Sequence, residues 1–248
     1  MAAALSDEDV SKYADEGYLV VDGVLPLDEV HELRAVLESG GEGGSSLYGI
    51  NMTTHHPAFL RLARDPRITD IIARLLGENI CLQHSKTVHK ATGGAESPGG
   101  GKVRFHQDFA YFPHTNTDVL AAMLVLDDFT EENACMRIVR GSHKLGLLDH
   151  NTTDDGFFNA EPYERELWED DASLAKLMPR AGGLSIHHAL TLHGSPESTS
   201  DRPRRGAHTQ LVCSASSVER WRKNLHCQCG NPARTLTDRR AWLALLGR

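Results

Sequence analysis

His106-Gln107-Asp108 places an imidazole and a carboxylate two residues apart. On an extended strand, side chains two apart share a face, so both groups could reach one metal ion. A distant histidine would complete a facial set of two imidazoles and one carboxylate, the arrangement that leaves open positions on non-haem Fe(II). The motif is short, and an exposed histidine beside a surface aspartate gives the same text. With 14 histidines in 248 residues, such a coincidence is easy. A second cluster supplies what the first lacks. His193-Gly194-Ser195 offers a third ligand and a hydroxyl beside it, and Arg204 follows at the start of a β-type run. A guanidinium is the group suited to hold a carboxylate in a two-point fork. Ser195 also reads as a plain turn residue. Arg202 and Arg205 flank Arg204, so a basic patch alone selects nothing.

Other groups compete for the same chemistry. His187-His188 stands just before His193 and reads as structural or pocket-lining, and His55-His56 reads as a loop pair. His226-Cys227-Gln228-Cys229 brings soft ligands close together, but no partner pair stands at zinc spacing. Residues 93–101 are glycine-rich yet lack the Lys-Ser/Thr ending of a phosphate loop, so nucleotide binding is not expected there.

Such side chains need a scaffold to bring them together. The first third of the chain reads as helical. Ser6-Asp7-Glu8-Asp9 is a capping box ahead of Val10, Tyr13 and Ala14, and Gly17 stops the turn. Tyr18–Val21 is β-rich. Pro26 opens a second helix carrying Val30, Leu33, Val36 and Leu37, which closes in the glycine run at 40–44. Asp65-Pro66 begins a third, with Ile68, Ile71, Ile72, Leu75 and Leu76 on one face and Gly77 as its cap. From Ile80 the pattern changes to short β-type runs at 80–89, 103–106, 119–126, 136–139, 184–187, 191–193 and 207–213, the spacing of a sandwich or barrel. Residues 149–178 are acidic and polar and read as a solvated flap with one amphipathic helix. A last helix would carry Ala241, Leu243, Leu245 and Leu246. The expectation is one domain over 1–248, its helical third packed on a β core from about 80 to 215.

Composition narrows the function classes. The chain is 40% apolar and 24% charged, with a formal net charge of −8. It therefore has no general field to attract nucleic acid or anionic lipid. No apolar run approaches the roughly 18–20 residues needed to span a bilayer. The opening Met1-Ala-Ala-Ala-Leu-Ser-Asp-Glu-Asp lacks a signal-peptide pattern. The five cysteines, odd in number and mostly scattered, fit a reducing compartment. A cytoplasmic protein acting on a small molecule is expected, monomer or homodimer, with neither nucleic acid nor membrane as partner.

Read in order, these segments resemble the phytanoyl-CoA dioxygenase family of Fe(II)/2-oxoglutarate-dependent oxygenases. The matching text is Gln83-His-Ser-Lys86, Arg104-Phe-His-Gln-Asp-Phe-Ala-Tyr-Phe-Pro113, Glu132-Asn-Ala-Cys-Met136, Gly141-Ser-His-Lys144, and His193-Gly-Ser-Pro196 with Arg204. It spans about half the chain, and Gly17-Tyr-Leu-Val-Val-Asp-Gly-Val-Leu25 is similar to the family's usual opening. The resemblance implies a mainly β fold with flanking helices, a double-stranded β-helix or cupin-like jelly-roll barrel. It implies His106, Asp108 and His193 as iron ligands, Arg204 on the distal carboxylate of 2-oxoglutarate with Ser195 beside it, and Phe109, Phe112 and His84 at the substrate. His143, in Gly141-Ser-His143, is expected to shape a turn. Relatives commonly carry Trp where Phe105 stands and Gly where Ala134 stands, positions expected to serve packing alone. The implied activity uses Fe(II), 2-oxoglutarate and O2 to hydroxylate an aliphatic carbon of a small metabolite, in a setting such as natural-product biosynthesis, releasing succinate and carbon dioxide. With no basic nucleotide-recognition patch near the metal motifs, a substrate free of coenzyme A is favoured. Two alternatives stay open: a non-redox metal-dependent hydrolase or isomerase, and a catalytically silent binding barrel. The paired His193 and Arg204 clusters argue against the first, and the intact ligand types against the second.

Overall fold

The computed structural model describes residues 4–39, 51–90, 101–112, 114, 116–150 and 161–212. Helix α1 (Asp7–Glu16) starts where the Ser6 hydroxyl accepts the Asp9 N–H while the Asp9 carboxylate takes the Ser6 N–H, and it stops at Gly17 in the left-handed region. Strand β1 (Tyr18–Val21) follows at once. Helix α2 (Leu27–Glu38) buries Val30, Leu33 and Leu37, with Pro26 at its N-cap. Helices α3 (Met52–His55) and α4 (Pro57–Ala63) were not legible in the sequence, being too short for a periodic pattern. In α5 (Pro66–Leu76) the Asp65 carboxylate caps the Arg67 N–H, and Ile68, Ile71, Ile72 and Leu76 form the buried face.

The remaining strands are β2 (Cys81–Lys90), β3 (Val103–His106), β4 (Val119–Val125), β5 (Met136–Ile138), β6 (Ala175–Leu177), β7 (Leu184–His188), β8 (His193–Ser195) and β9 (Arg204–Val212), with the short helix α6 (Asp108–Tyr111) after β3. They form two antiparallel sheets, β1-β7-β4-β9-β2 and β3-β8-β5-β6. This is the expected jelly-roll arrangement of two sheets. Alternation along the larger sheet separates two environments. Leu120, Ala122, Leu124, Leu184, Ile186, Ala207 and Leu211 pack with Val30, Leu33, Ile68 and Ile72 of the helices in the main apolar cluster. Each such Leu or Ile removed from water stabilises the fold by about 1.5–3 kcal/mol. The opposite face presents Met123, Val125, Ser185, His187, Arg204 and His208 to the barrel interior, all buried. Both faces of β4 are covered, and all seven of its residues are buried.

The 149–178 segment differs from expectation over its described part. Residues 161–178 hold two tight turns, Arg165–Leu167 and Asp171–Ser173, and then β6, an edge of the smaller sheet. The Asp170 carboxylate caps the Ala172 N–H, and the dense charges at 164–171 leave no continuous apolar stripe for a helix. Trp168 stacks on Phe105 with ring centroids 5.5 Å apart, so Phe105 is a packing residue as expected. The glycine run at 40–44, residues 93–100 of the glycine-rich loop, the 151–160 stretch, the His226-Cys229 cluster and the last helix at 241–246 lie outside the described residues. Neither Cys81 nor Cys135 forms a disulfide among the described residues. No helix among the described residues is long and apolar enough to cross a membrane.

Gly182 shows how tightly β7 is tied to the helical layer. It lies at φ +86°, and a Cβ there would sit 2.3 Å from the Leu25 carbonyl oxygen. Gly23 has φ +69° but open space around it. Gly23→Ala should therefore cost only the left-handed penalty of about 1–2 kcal/mol, and Gly182→Ala about 3 kcal/mol or more. Urea unfolding midpoints of the two variants measure the difference; equal losses would mean that the close approach imposes nothing.

Candidate active site

Strand alternation does not bring His106 and Asp108 together, contrary to the expectation from their spacing. Strand β3 ends at His106, and Asp108 is the first residue of α6, so the chain turns between them. Gln107 anchors that turn. It is fully buried, its amide nitrogen donates to the carbonyls of Gly146 at 2.8 Å and Leu190 at 2.7 Å, and its side-chain oxygen accepts the Leu148 N–H at 2.8 Å. His193 lies directly opposite His106 in the β3–β8 ladder. One ligand atom from each of His106, Asp108 and His193 then falls within 4.8 Å of the others, all three residues being buried.

The surroundings prepare these groups to ligate. His106 Nδ1 bonds the Arg104 carbonyl at 2.8 Å, and His193 Nδ1 bonds the Thr191 carbonyl at 2.9 Å. A carbonyl only accepts, so each Nδ1 carries the proton and each Nε2 keeps its lone pair for a metal. Burial, with His187 and His106 beside it, pushes His193 well below the usual imidazole range and keeps it neutral. Burial alone would raise the Asp108 carboxyl, but His106, His187 and His193 outweigh it and hold the group well below the usual carboxylate range. His187 Nε2 donates to Asp108 Oδ2 at 3.2 Å. Sequence reasoning placed His187 among structural or pocket-lining residues and missed this bond. Its inward position two residues after Ser185 on β7 was the available signal. His188, on the other face, accepts the Leu190 N–H through Nδ1. His143 bonds the Ala14 carbonyl at 3.0 Å, shaping a turn as expected.

Arg204 opens β9, which starts three residues earlier than the 207–213 run predicted. It is 3% exposed. Its Nη1 donates to the Ala134 carbonyl at 2.5 Å, its Cζ lies 4.7 Å over the Phe129 ring, and its buried Nε has no hydrogen-bond partner. Ala134 is thus not a mere packing position, as the sequence suggested. Its φ of +64° explains why glycine suits it, and its carbonyl holds the guanidinium. Lys90 faces Arg204 across the β2–β9 ladder and is also buried. Its ammonium donates to the Gly101 carbonyl and to the Pro196 carbonyl at 3.1 Å, next to the buried Ser195. Burial and the neighbouring Arg204 push Lys90 down to about 8, and burial pushes Arg204 down to about 10. Among the described residues neither cation pairs with an acidic side chain. Two buried cations without a counter-ion are costly, and a bound carboxylate would offset that cost. Arg205 faces the other way, onto Asp127 and Glu38, and Arg202 is exposed.

Of the three expected substrate residues, two meet. The rings of His84 and Phe112 are 4.4 Å apart. Phe109 packs instead with Val119, Ala189 and Leu190 in a small apolar cluster. His208, on β9, stands in no motif and was missed. Its ring lies 6.1 Å from that of His84.

The phytanoyl-CoA dioxygenase (PhyH) family matches residues 13–206. A probable alpha-ketoglutarate-dependent hypophosphite dioxygenase of Stutzerimonas stutzeri is 32% identical over 220 residues, covering 87% of this chain and 73% of that one. An ectoine dioxygenase of Bordetella bronchiseptica is 23% identical over 237 residues, covering 82% and 74%. Among solved structures, the epimerase SnoN in complex with Fe3+, alpha ketoglutarate and nogalamycin RO superposes with a TM-score of 0.68 at 27% identity, covering 84% of this chain and 83% of that one. Apo EctD from S. alaskensis shares the fold with a TM-score of 0.70 at 19% identity, covering 85% and 78%. The chain therefore belongs to the phytanoyl-CoA dioxygenase family, the Fe(II)- and 2-oxoglutarate-dependent dioxygenases.

Proposed function

We propose that the protein hydroxylates an aliphatic carbon of a small-molecule metabolite, consuming 2-oxoglutarate and O2 and releasing succinate and carbon dioxide. His106 and His193, through Nε2, and Asp108 would hold one ferrous ion. Arg204 would grip the distal carboxylate of 2-oxoglutarate, with Ser195 on β8 and Lys90 across the ladder closing the same end. When bound, the ion supplies dioxygen activation coupled to decarboxylation of the cosubstrate. The chain supplies three fixed ligands, a dry barrel and an oriented cosubstrate. The single observation that carries this reading is the buried Arg204–Lys90 pair, without an acidic partner among the described residues, beside a cluster of two histidines and an aspartate. A non-redox hydrolase or isomerase needs the cluster but has no use for the clamp.

In this reading 1–248 is one oxygenase domain, since helices and larger sheet share one apolar cluster. The relatives named for hypophosphite and ectoine, and the neighbour bound to nogalamycin RO, favour a small molecule over a macromolecule. A cytoplasmic enzyme of secondary metabolism, monomer or homodimer, completes the proposal.

Anaerobic titration with Fe(II) should show a single tight site that His193→Ala abolishes. His187→Ala removes only the Asp108 partner and should weaken iron by about 10- to 100-fold without abolishing it. Equal loss in both variants would mean that the distal ligand is misassigned. For the cosubstrate, Arg204→Ala leaves a desolvated carboxylate without its partner, at a cost of about 2–5 kcal/mol. The KM for 2-oxoglutarate, read from succinate release, should rise ~30- to several-thousand-fold, while iron affinity barely changes. Arg204→Lys should recover part, keeping the charge but losing the fork. Arg202→Ala and Arg205→Ala should leave that KM within about 3-fold, because neither side chain enters the barrel. No effect in Arg204→Ala would remove the main support for the oxygenase reading.

A further inference from the structure

The backbone between His106 and Asp108 has to leave β3 at a fixed angle if both side chains are to meet His193. Strand β3 ends at His106, and its ladder to β8 shifts register between Val103 and His106. Gln107 follows, fully buried, with α6 starting at the next residue. A buried backbone N–H in a β protein ordinarily finds a carbonyl. The Gln107 N–H instead donates to an imidazole, His150 Nε2, at 3.1 Å and across 43 residues of chain. The side chain of Gln107 is held by residues 146, 148 and 190, so His150 supplies what those bonds do not, an acceptor for the main chain itself.

The second ring nitrogen settles which form of His150 does this. His150 Nδ1 lies 2.9 Å from the Leu148 carbonyl oxygen. A carbonyl only accepts, so Nδ1 carries the proton and Nε2 keeps the lone pair that the Gln107 N–H needs. Both bonds therefore select the same neutral tautomer. The residue is buried, and an antiparallel bridge to Pro162 holds its backbone. Ring contacts give a second route to the cluster. Tyr111, the last residue of α6, meets the His150 ring edge-on at 6.4 Å and the His106 ring edge-on at 5.5 Å. His150 is not one of the three clustered ligands, yet it braces both that come from this turn. It supports Asp108 through the preceding peptide and His106 through Tyr111. No motif marks it in the sequence, where it stands at the start of the acidic 149–178 stretch.

We infer that His150 is a positioning residue for the metal cluster: as a neutral imidazole it holds the Gln107 backbone N–H and thereby fixes the turn that aims Asp108 at the point shared with His106 and His193. This rests on the metal-binding part of the oxygenase reading and is independent of cosubstrate and substrate. Removing the acceptor leaves a buried N–H without a partner, and the turn must move to satisfy it.

The test compares three variants of the full chain by anaerobic Fe(II) titration, by the visible absorption of the Co(II)-loaded protein, and by hydrogen exchange of the Gln107 amide without metal. His150→Leu keeps much of the volume but accepts nothing. It should weaken Fe(II) by about 10- to 100-fold, shift the Co(II) bands, and speed exchange of the Gln107 amide by about 10-fold or more. His150→Gln places an amide oxygen where Nε2 stands and should recover wild-type affinity, bands and protection within about 3-fold. His150→Asn ends near the Nδ1 position, so it should behave like His150→Leu, and it carries the comparison should His150→Leu fail to fold. Fe(II) affinity and Co(II) bands that stay at wild-type values in His150→Leu and His150→Asn would overturn the inference. So would an equal loss in all three variants, since ring packing and not the acceptor would then be what matters. A wild-type chain that binds neither Fe(II) nor Co(II) would overturn the metal reading itself, whereas tight binding in wild type and His150→Leu alike would overturn this inference alone.

Discussion

Asp108 is an ionised carboxylate only 1% exposed, and much of the barrel follows from keeping it so. A buried carboxylate reverts to its neutral form unless cations or hydrogen-bond donors surround it. Here His187 from β7 donates to it, while His106 from β3 and His193 from β8 turn their Nε2 lone pairs toward the same point, where a bound cation would complete the surroundings. Each must arrive with its nitrogens already assigned, and the carbonyls of Arg104 and Thr191 make that assignment for His106 and His193. Gln107 spends every polar atom of its side chain on the loops at 146–148 and 190, so the turn that aims Asp108 cannot drift.

The two faces of the larger sheet divide the work. Its outer face is apolar and binds the helical layer, which supplies stability and no chemistry. Its inner face carries the groups that are expensive to bury, and they are sorted by sign along the strands. Arg204 and Lys90 form a cationic end against β8, while the imidazoles of His187, His208 and His84 line the middle.

This division also accounts for the pattern of relatives. EctD keeps the fold at 19% identity, and SnoN at 27% binds nogalamycin RO, a guest unlike hypophosphite or ectoine. Outer-face alternation tolerates any apolar residue of suitable volume, and the ligand cluster needs only a few positions.

Much of this was legible in the amino-acid order itself, and the reason is locality. The capping box at Ser6, the Asp65-Pro66 start of α5 and most strands are written in residues next to one another, so period and cap chemistry reveal them. His106, Asp108, His193 and Arg204 were legible as residue types in family order. What the order of residues did not contain was register. That His106 faces His193, that Lys90 faces Arg204 and that Lys86 faces His208 depends on strand pairings between distant segments, and both ladders shift register, between Leu82 and His84 in one and between Val103 and His106 in the other. His187 finds Asp108 across 79 residues of chain, and Ala134, written off as packing, became the guanidinium's anchor for the same reason. The sequence by itself determined which side chains can ligate, clamp or pack. Only the tertiary structure decided which of them meet, because a one-residue slip in any ladder would send each to the opposite face.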